Sequence, residues 1–239
     1  MDPTDPFAAT HPAPTAARPL LGLTILVVED SRFACEAMRL LCLRSGARIR
    51  RADCLRSARR HLRVYRPSVA MIDLGLPDGS GLDLIRELTS THPPAEAVLA
   101  MSADDHMQTP ARSAGAHGFL AKPINSLAEF QESILSLMPT ERRPPGPRLM
   151  NDEQIEPDLI AYQDDIAHAA DVLEDSDEAR ALDYVAQFLG GVARSAHDSP
   201  LEEAAAALAE KRALGHPAGS EAATIAGIIH DRLARKIAI

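Results

Sequence analysis

No tryptophan occurs in this chain of 239 residues, and aromatic residues make up 3% of it. Its cores must therefore be built from Leu, Ile, Val and Ala, for which a hydrophobic fraction of 46% is ample. Long apolar runs are missing as well. None approaches the roughly 20 residues of a membrane-spanning helix, so no membrane role is expected. The first 19 residues lack the basic start and apolar centre of a secretory signal. Rich in Pro, Ala and Thr, they are expected to form a disordered tail on a cytoplasmic protein. The three cysteines, Cys35, Cys42 and Cys54, show no C-x-x-C spacing and cannot all pair, which excludes a disulfide framework. Cys35 and Cys42 lie seven apart on an expected helix and read as small buried thiols.

Basic residues are scarce in one half of the chain. Residues 150–239 carry 7 Lys and Arg against 18 Asp and Glu, whereas residues 20–138 carry 14 against 13. Such asymmetry points to two domains with different partners. Phosphates would repel the acidic half, so nucleic-acid binding is not expected there.

What is present is a set of four apolar runs, each breaking onto polar residues. They are LTILVVED at 23–30, VAMIDLGLPDGSG at 69–81, AVLAMSA at 97–103 and GFLAKP at 118–123. Strands are expected over 23–28, 47–51, 69–73, 97–101 and 117–121. Helices are expected over 32–45, 55–66, 82–91, 109–115 and 126–138. Strict alternation implies an α/β domain over 20–138, a five-stranded parallel doubly wound (βα)5 sheet covered on both faces. The stretch PTERRPPGPRL and its surroundings, 139–150, read as a Pro-rich linker. Residues 151–239 show helical spacing and no convincing strand, which predicts an acidic all-α bundle for interaction or dimerisation. Within it, Ser199-Pro200 reads as a cap followed by a first-turn proline.

Ligands of open parallel sheets sit beyond the carboxyl ends of the strands. Glu29, Asp30, Asp73, Ser102 and Lys122 all fall there. Three clustered carboxylates repel one another unless a cation compensates, and a hard cation that works with phosphate is Mg2+. A carboxylate beside it, Asp73, is a competent nucleophile towards a phosphoryl donor, with Lys122 and Ser102 placed to hold the added phosphate.

VVEDS at 27–31, IDLGLPDGSGLDLI at 72–85, MSA at 101–103 and GFLAKPI at 118–124 resemble the receiver domain of two-component response regulators, a flavodoxin-like fold. The resemblance covers residues 22–138. It implies that Asp73 accepts a phosphoryl group from the phosphohistidine of a histidine kinase or phosphotransfer protein. It also implies that Asp30, Asp73 and the backbone carbonyl of Gly75 bind Mg2+, with Glu29 acting partly through water. Ser102 and Phe119 would be a coupled switch pair, and Gly75 and Asp104 would occupy positions that set the lifetime of the phosphate. The activity expected is self-phosphorylation and dephosphorylation, not turnover of a separate substrate. The output expected is a downstream protein partner or self-association through the C-terminal helices. A different class of output would place a phosphotransfer histidine at His168 or His230.

Two features depart from the plain pattern. Thr109 as cap and Pro110 at the first helical position leave little more than one turn for the fourth helix. Eight arginines crowd positions 48–66, and docking of the acidic C-terminal half onto them is expected.

Overall fold

The computed structural model describes residues 12–90, 95–148, 150–151, 153–175 and 179–234. Most of the expected N-terminal tail, residues 1–11, lies outside the described residues. The α/β unit runs β1 (Thr24–Val28), α1 (Arg32–Ser45), β2 (Arg48–Ala52), α2 (Leu55–Val64), β3 (Val69–Asp73), β4 (Gly75–Leu76), β5 (Gly79–Ser80), α3 (Gly81–Ser90), β6 (Ala97–Ser102), α4 (Gln108–Ser113), β7 (Gly118–Ala121) and α5 (Leu127–Leu135). Five strands form one parallel sheet in the order β2-β1-β3-β6-β7, as the alternation predicted.

Both faces of this sheet are covered, which is why β1, β3 and β6 read as nearly unbroken apolar runs. Ile25, Val27, Met71 and Leu99 point to one side, against Leu41 of α1 and Phe130 and Ile134 of α5. Leu26, Val28, Ala70, Ile72 and Val98 point to the other, against Ala58, Leu84, Ile85 and Ala111. Cys35 and Cys42 are buried free thiols, and burial pushes both up to about 12. Cys54 is only half-buried.

α1 starts at Ser31, whose hydroxyl accepts from the Ala34 N–H, and ends on Gly46 at φ 82°, a left-handed cap that glycine adopts without strain. The short hairpin of β4 and β5 was not foreseen. Its turn presents Asp78, whose carboxylate accepts from the N–H groups of Leu55 (2.8 Å) and Arg56 (2.9 Å) and so caps α2 from a distant loop. α4 is six residues long, as its proline suggested, but it begins at Gln108 rather than after a Thr109 cap.

Residues 153–155 pack back on the α/β unit. The Leu127 N–H donates to the Glu153 carbonyl (3.0 Å), the Ile155 N–H donates to the Asn125 carbonyl (2.8 Å), and the Ile155 side chain is buried in the core. The helical unit follows as α6 (Leu159–Asp175), α7 (Ala179–Ser195), α8 (Ser199–Ala213) and α9 (Gly219–Ala234). Ile166, Val185, Leu189, Val192, Leu201, Leu208, Ile225 and Ile229 fill its core, at the helical spacing read from the sequence. Among the described residues, no helix is long and apolar enough to cross a membrane.

Asp198, not Ser199, caps α8, and it ties the unit together. Its carboxylate accepts from Tyr162 Oη of α6 (2.6 Å) and from Arg232 Nε and Nη2 of α9 (2.6 and 2.8 Å). Asp198→Ala is expected to cost the helical unit about 2 kcal/mol, the sum of a lost cap and a broken charge-assisted pair. Arg232 chiefly holds this carboxyl down, at about 2. Its contribution is therefore complete above the unfolded carboxyl value near 4 and is lost as pH falls through about 2. Circular dichroism along an acid titration will show the wild-type helices surviving to lower pH than those of the variant.

Candidate functional site

The acidic edge is assembled from four strand ends. β1 runs out into Glu29 and Asp30, β3 ends on Asp73, β6 ends on Ser102, and Lys122 follows β7. One carboxylate oxygen from each of Glu29, Asp30 and Asp73 lies within 4.8 Å of the others. Lys122 Nζ sits between two of these acids, 2.6 Å from Glu29 Oε2 and 2.6 Å from Asp73 Oδ1. The Lys122 N–H donates to the Ser102 carbonyl (2.8 Å), which fixes the lysine to the next strand. Asp73 Oδ2 accepts from the Gly75 N–H (2.8 Å), and Ser102 Oγ accepts from the Asp104 N–H (3.1 Å). Gly81 must be glycine, because a Cβ there would lie 2.0 Å from the Asp73 carbonyl oxygen.

Glu29, Asp73 and Ser102 are buried, and Asp30 is half-buried. Burial pushes Glu29 up to about 8, outweighing the attraction of Lys122, and the charges of Asp73 and Asp30 add to the rise. Burial likewise raises Asp30 to about 6, with Asp73 adding to it. Burial opposes the charge on Lys122, yet Asp73 and Glu29 together hold the ammonium well above the usual lysine value. With three acids and one base, a full set of charges leaves two negatives uncompensated. The donor set is all oxygen and spaced for a single small cation, which fits Mg2+.

Each residue expected at the strand ends is therefore in the cluster or beside it. Phe119 is half-buried against Ile72 and Val98's side of the sheet, and Asp104 is exposed. His168 is exposed on α6 with Nε2 3.2 Å from Tyr184 Oη, while His230 is exposed on α9.

What sequence reasoning missed is that the helical unit lies directly over this edge. Tyr184 Oη of α7 donates to Asp30 Oδ2 (2.8 Å). Arg194 Nη1 donates to the Ala103 carbonyl and Arg194 Nε to Glu202 (2.8 Å). Asp165 of α6 is 1% exposed and accepts from Ser31 Oγ (2.7 Å), the Arg32 N–H (2.7 Å) and the Phe33 N–H (3.0 Å). A cavity of about 260 Å³ remains between the edge and α7, lined by Asp73, Ser102 and Lys122 on one side and Gln187 and Arg194 on the other. The signal was present in the sequence. Tyr184, Gln187, Gly191 and Arg194 recur at helical spacing and make a second stripe beside the apolar one.

Among the described residues, the contacts that seat the helical unit gather at the start of α1 rather than on the arginine-rich run. Ion pairs that join the α/β unit to later segments include Arg32–Asp164 (2.7 Å) and Arg44–Glu153 (2.9 Å), while Arg59 within the run pairs with Glu87 of α3. Backbone donors at the start of α1 provided the better anchor, since a carboxylate there satisfies N–H groups that no helical bond uses.

Residues 25–134 match the family model of the response regulator receiver domain. This α/β unit is a receiver domain. The chain is 37% identical over 108 residues to the transcriptional regulatory protein CitB of Klebsiella pneumoniae, covering 44% of this chain and 46% of that protein. It is 30% identical over 110 residues to the KDP operon transcriptional regulatory protein KdpE of Escherichia coli K12, covering 46% and 48%. The chain thus spans about half the length of the curated relatives it matches. Among solved structures, the response regulator TrrA of Thermotoga maritima in complex with Mg2+-BeF is similar over 48% of this chain and 99% of that one, at 21% identity and a TM-score of 0.44. The family model ends at residue 134, and the helices α6 to α9 lie beyond it.

Proposed function

We propose that this protein is a Mg2+-dependent phosphoryl acceptor that switches the docking of its own helical unit. The observation that carries the reading is Lys122 Nζ set 2.6 Å from Asp73 Oδ1 within the three-carboxylate cluster. A carboxylate of Asp73 attacks the phosphorus of a kinase phosphohistidine, the P–N bond breaks, and the imidazole leaves with a proton. Glu29, Asp30, Asp73 and the Gly75 carbonyl would hold Mg2+, which when bound offsets the charge of the acids and of the incoming phosphoryl group. Lys122 and Ser102 then hold phosphate oxygens, and the Ser102 hydroxyl and Phe119 ring shift together. Tyr184 and Arg194 touch this edge directly, so a new doubly charged group there alters what α7 rests on.

The partners that follow are a histidine kinase or phosphotransfer protein for input, and a protein partner or second copy for output. CitB and KdpE are transcriptional regulators by name, but the helical unit here is strongly acidic and repels nucleic acid. In phosphorylation with a small-molecule phosphodonor, one alkali-labile phosphate per chain is expected with Mg2+ present. None is expected in EDTA or in Asp73→Asn. Labelling of Asp73→Asn to the same level would remove the reading. Light scattering before and after beryllofluoride will show whether the activated form associates.

A further inference from the structure

Gly75 follows the acceptor by two residues and has no side chain, yet the space a side chain would fill is taken. A Cβ on Gly75 would lie 2.0 Å from Gln187 Nε2 and 2.9 Å from Gln187 Oε1. The amide of α7 thus stands where residue 75 would otherwise place its own group. Among the described residues this amide makes no hydrogen bond, and Gln187 is exposed at the mouth of the cavity that holds Asp73, Ser102 and Lys122. At about 260 Å³, the cavity has room for a phosphoryl group and several waters, each of which occupies roughly 30 Å³.

We propose that Gln187 positions the water that hydrolyses the aspartyl phosphate, so that the docked helical unit shortens the signal of its own receiver domain. The inference rests on Asp73 being the phosphoryl acceptor. An amide is suited to the task because it offers an acceptor for the water's proton and a donor for a phosphoryl oxygen, with no proton of its own to lose. Phosphoryl hydrolysis depends on positioning and charge stabilisation rather than on a strong base, and a glutamine that orients the attacking water is an established solution in nucleotide hydrolysis. The water oxygen bonds to phosphorus, both of its protons end on phosphate oxygens, and the bond from phosphorus to the Asp73 carboxylate breaks. Dihydrogen phosphate leaves and the carboxylate is restored. Arg194, in the same cavity wall, is committed to the Ala103 carbonyl and to Glu202, which leaves Gln187 as the polar group of α7 nearest to Gly75.

The test separates loading from loss. Wild type and Gln187→Met are phosphorylated by a small-molecule donor with Mg2+, the donor is removed, and remaining phosphate is followed over time. Methionine keeps the length and packing of Gln187 but not its amide. Gln187→Met should load to the wild-type level and lose phosphate roughly 10- to 100-fold more slowly. Hydrogen exchange over residues 181–195 should be unchanged in Gln187→Met, which separates a positioning role from loss of docking. An unchanged or faster loss in Gln187→Met overturns the inference. Failure of wild type to load at all would instead overturn the reading of Asp73.

Discussion

Asp30→Asn should make the metal-free protein more stable by about 2–3 kcal/mol at pH 8 while weakening Mg2+ binding on the order of 100-fold. The two effects come from one cause. Partly desolvated beside two other acids, Asp30 holds its proton up to about 6, so at pH 8 the fold must keep a carboxylate that the unfolded chain carries at no cost. A carboxyl whose folded value is raised stabilises the protonated fold. Its penalty is absent below the unfolded value near 4, grows as pH rises through about 6, and is constant above that. Glu29, raised to about 8, extends the same decline to higher pH. In chelator, urea unfolding should therefore show wild-type stability falling from pH 4 to pH 8, with Asp30→Asn falling less. The variant keeps an oxygen for Tyr184, so packing is preserved. Added Mg2+ should recover wild type and leave the variant nearly unchanged, as calorimetric titration will show. Equal or lower stability of Asp30→Asn in chelator at pH 8 would refute the charge argument.

Asp165→Ala should release the helical unit from the receiver domain. The side chain is buried and accepts three hydrogen bonds, two of them from backbone N–H groups at the start of α1. Removing it leaves those donors unpaired and strips a negative charge from a helix N-terminus. A loss of about 3 kcal/mol is expected, which is on the order of a 100-fold rise in the undocked population. Hydrogen exchange should rise over 29–34 and 181–195 together, with the core strands β3 and β6 unaffected. Asp165→Asn, which keeps one acceptor, should fall between. Uniform loss of protection across the sheet would mean that Asp165 supports the fold rather than the docking.

The site was legible because its residues are local to strand ends. A strand read correctly at 69–73 places Asp73 at the sheet edge without any knowledge of what lies opposite. The short α4 was legible for a similar reason, since Pro110 limits what its neighbours can form. The β4–β5 hairpin was not, because two paired residues on each side carry no periodicity. Nor was the seat of the helical unit. Charge counts pointed to the arginines of β2 and α2, but docking is decided by which buried donors need acceptors, and those sit at the start of α1. Asp165 looked in the sequence like any other acid on a solvated face.

The segment from Glu29 to Phe33, which runs from the end of β1 into the first turn of α1, serves two readers at once. Its first two residues belong to the three-carboxylate cluster, and its last three are gripped by Asp165. Two binding events that share one short segment are thermodynamically coupled, and the coupling is reciprocal. Whatever the cation does to the hold of α6 on this loop, a change in that hold does equally to cation affinity. Under the proposed function, a partner that captured the helices would reset the receiver's readiness for input, so that information would travel from output to input as well as the other way.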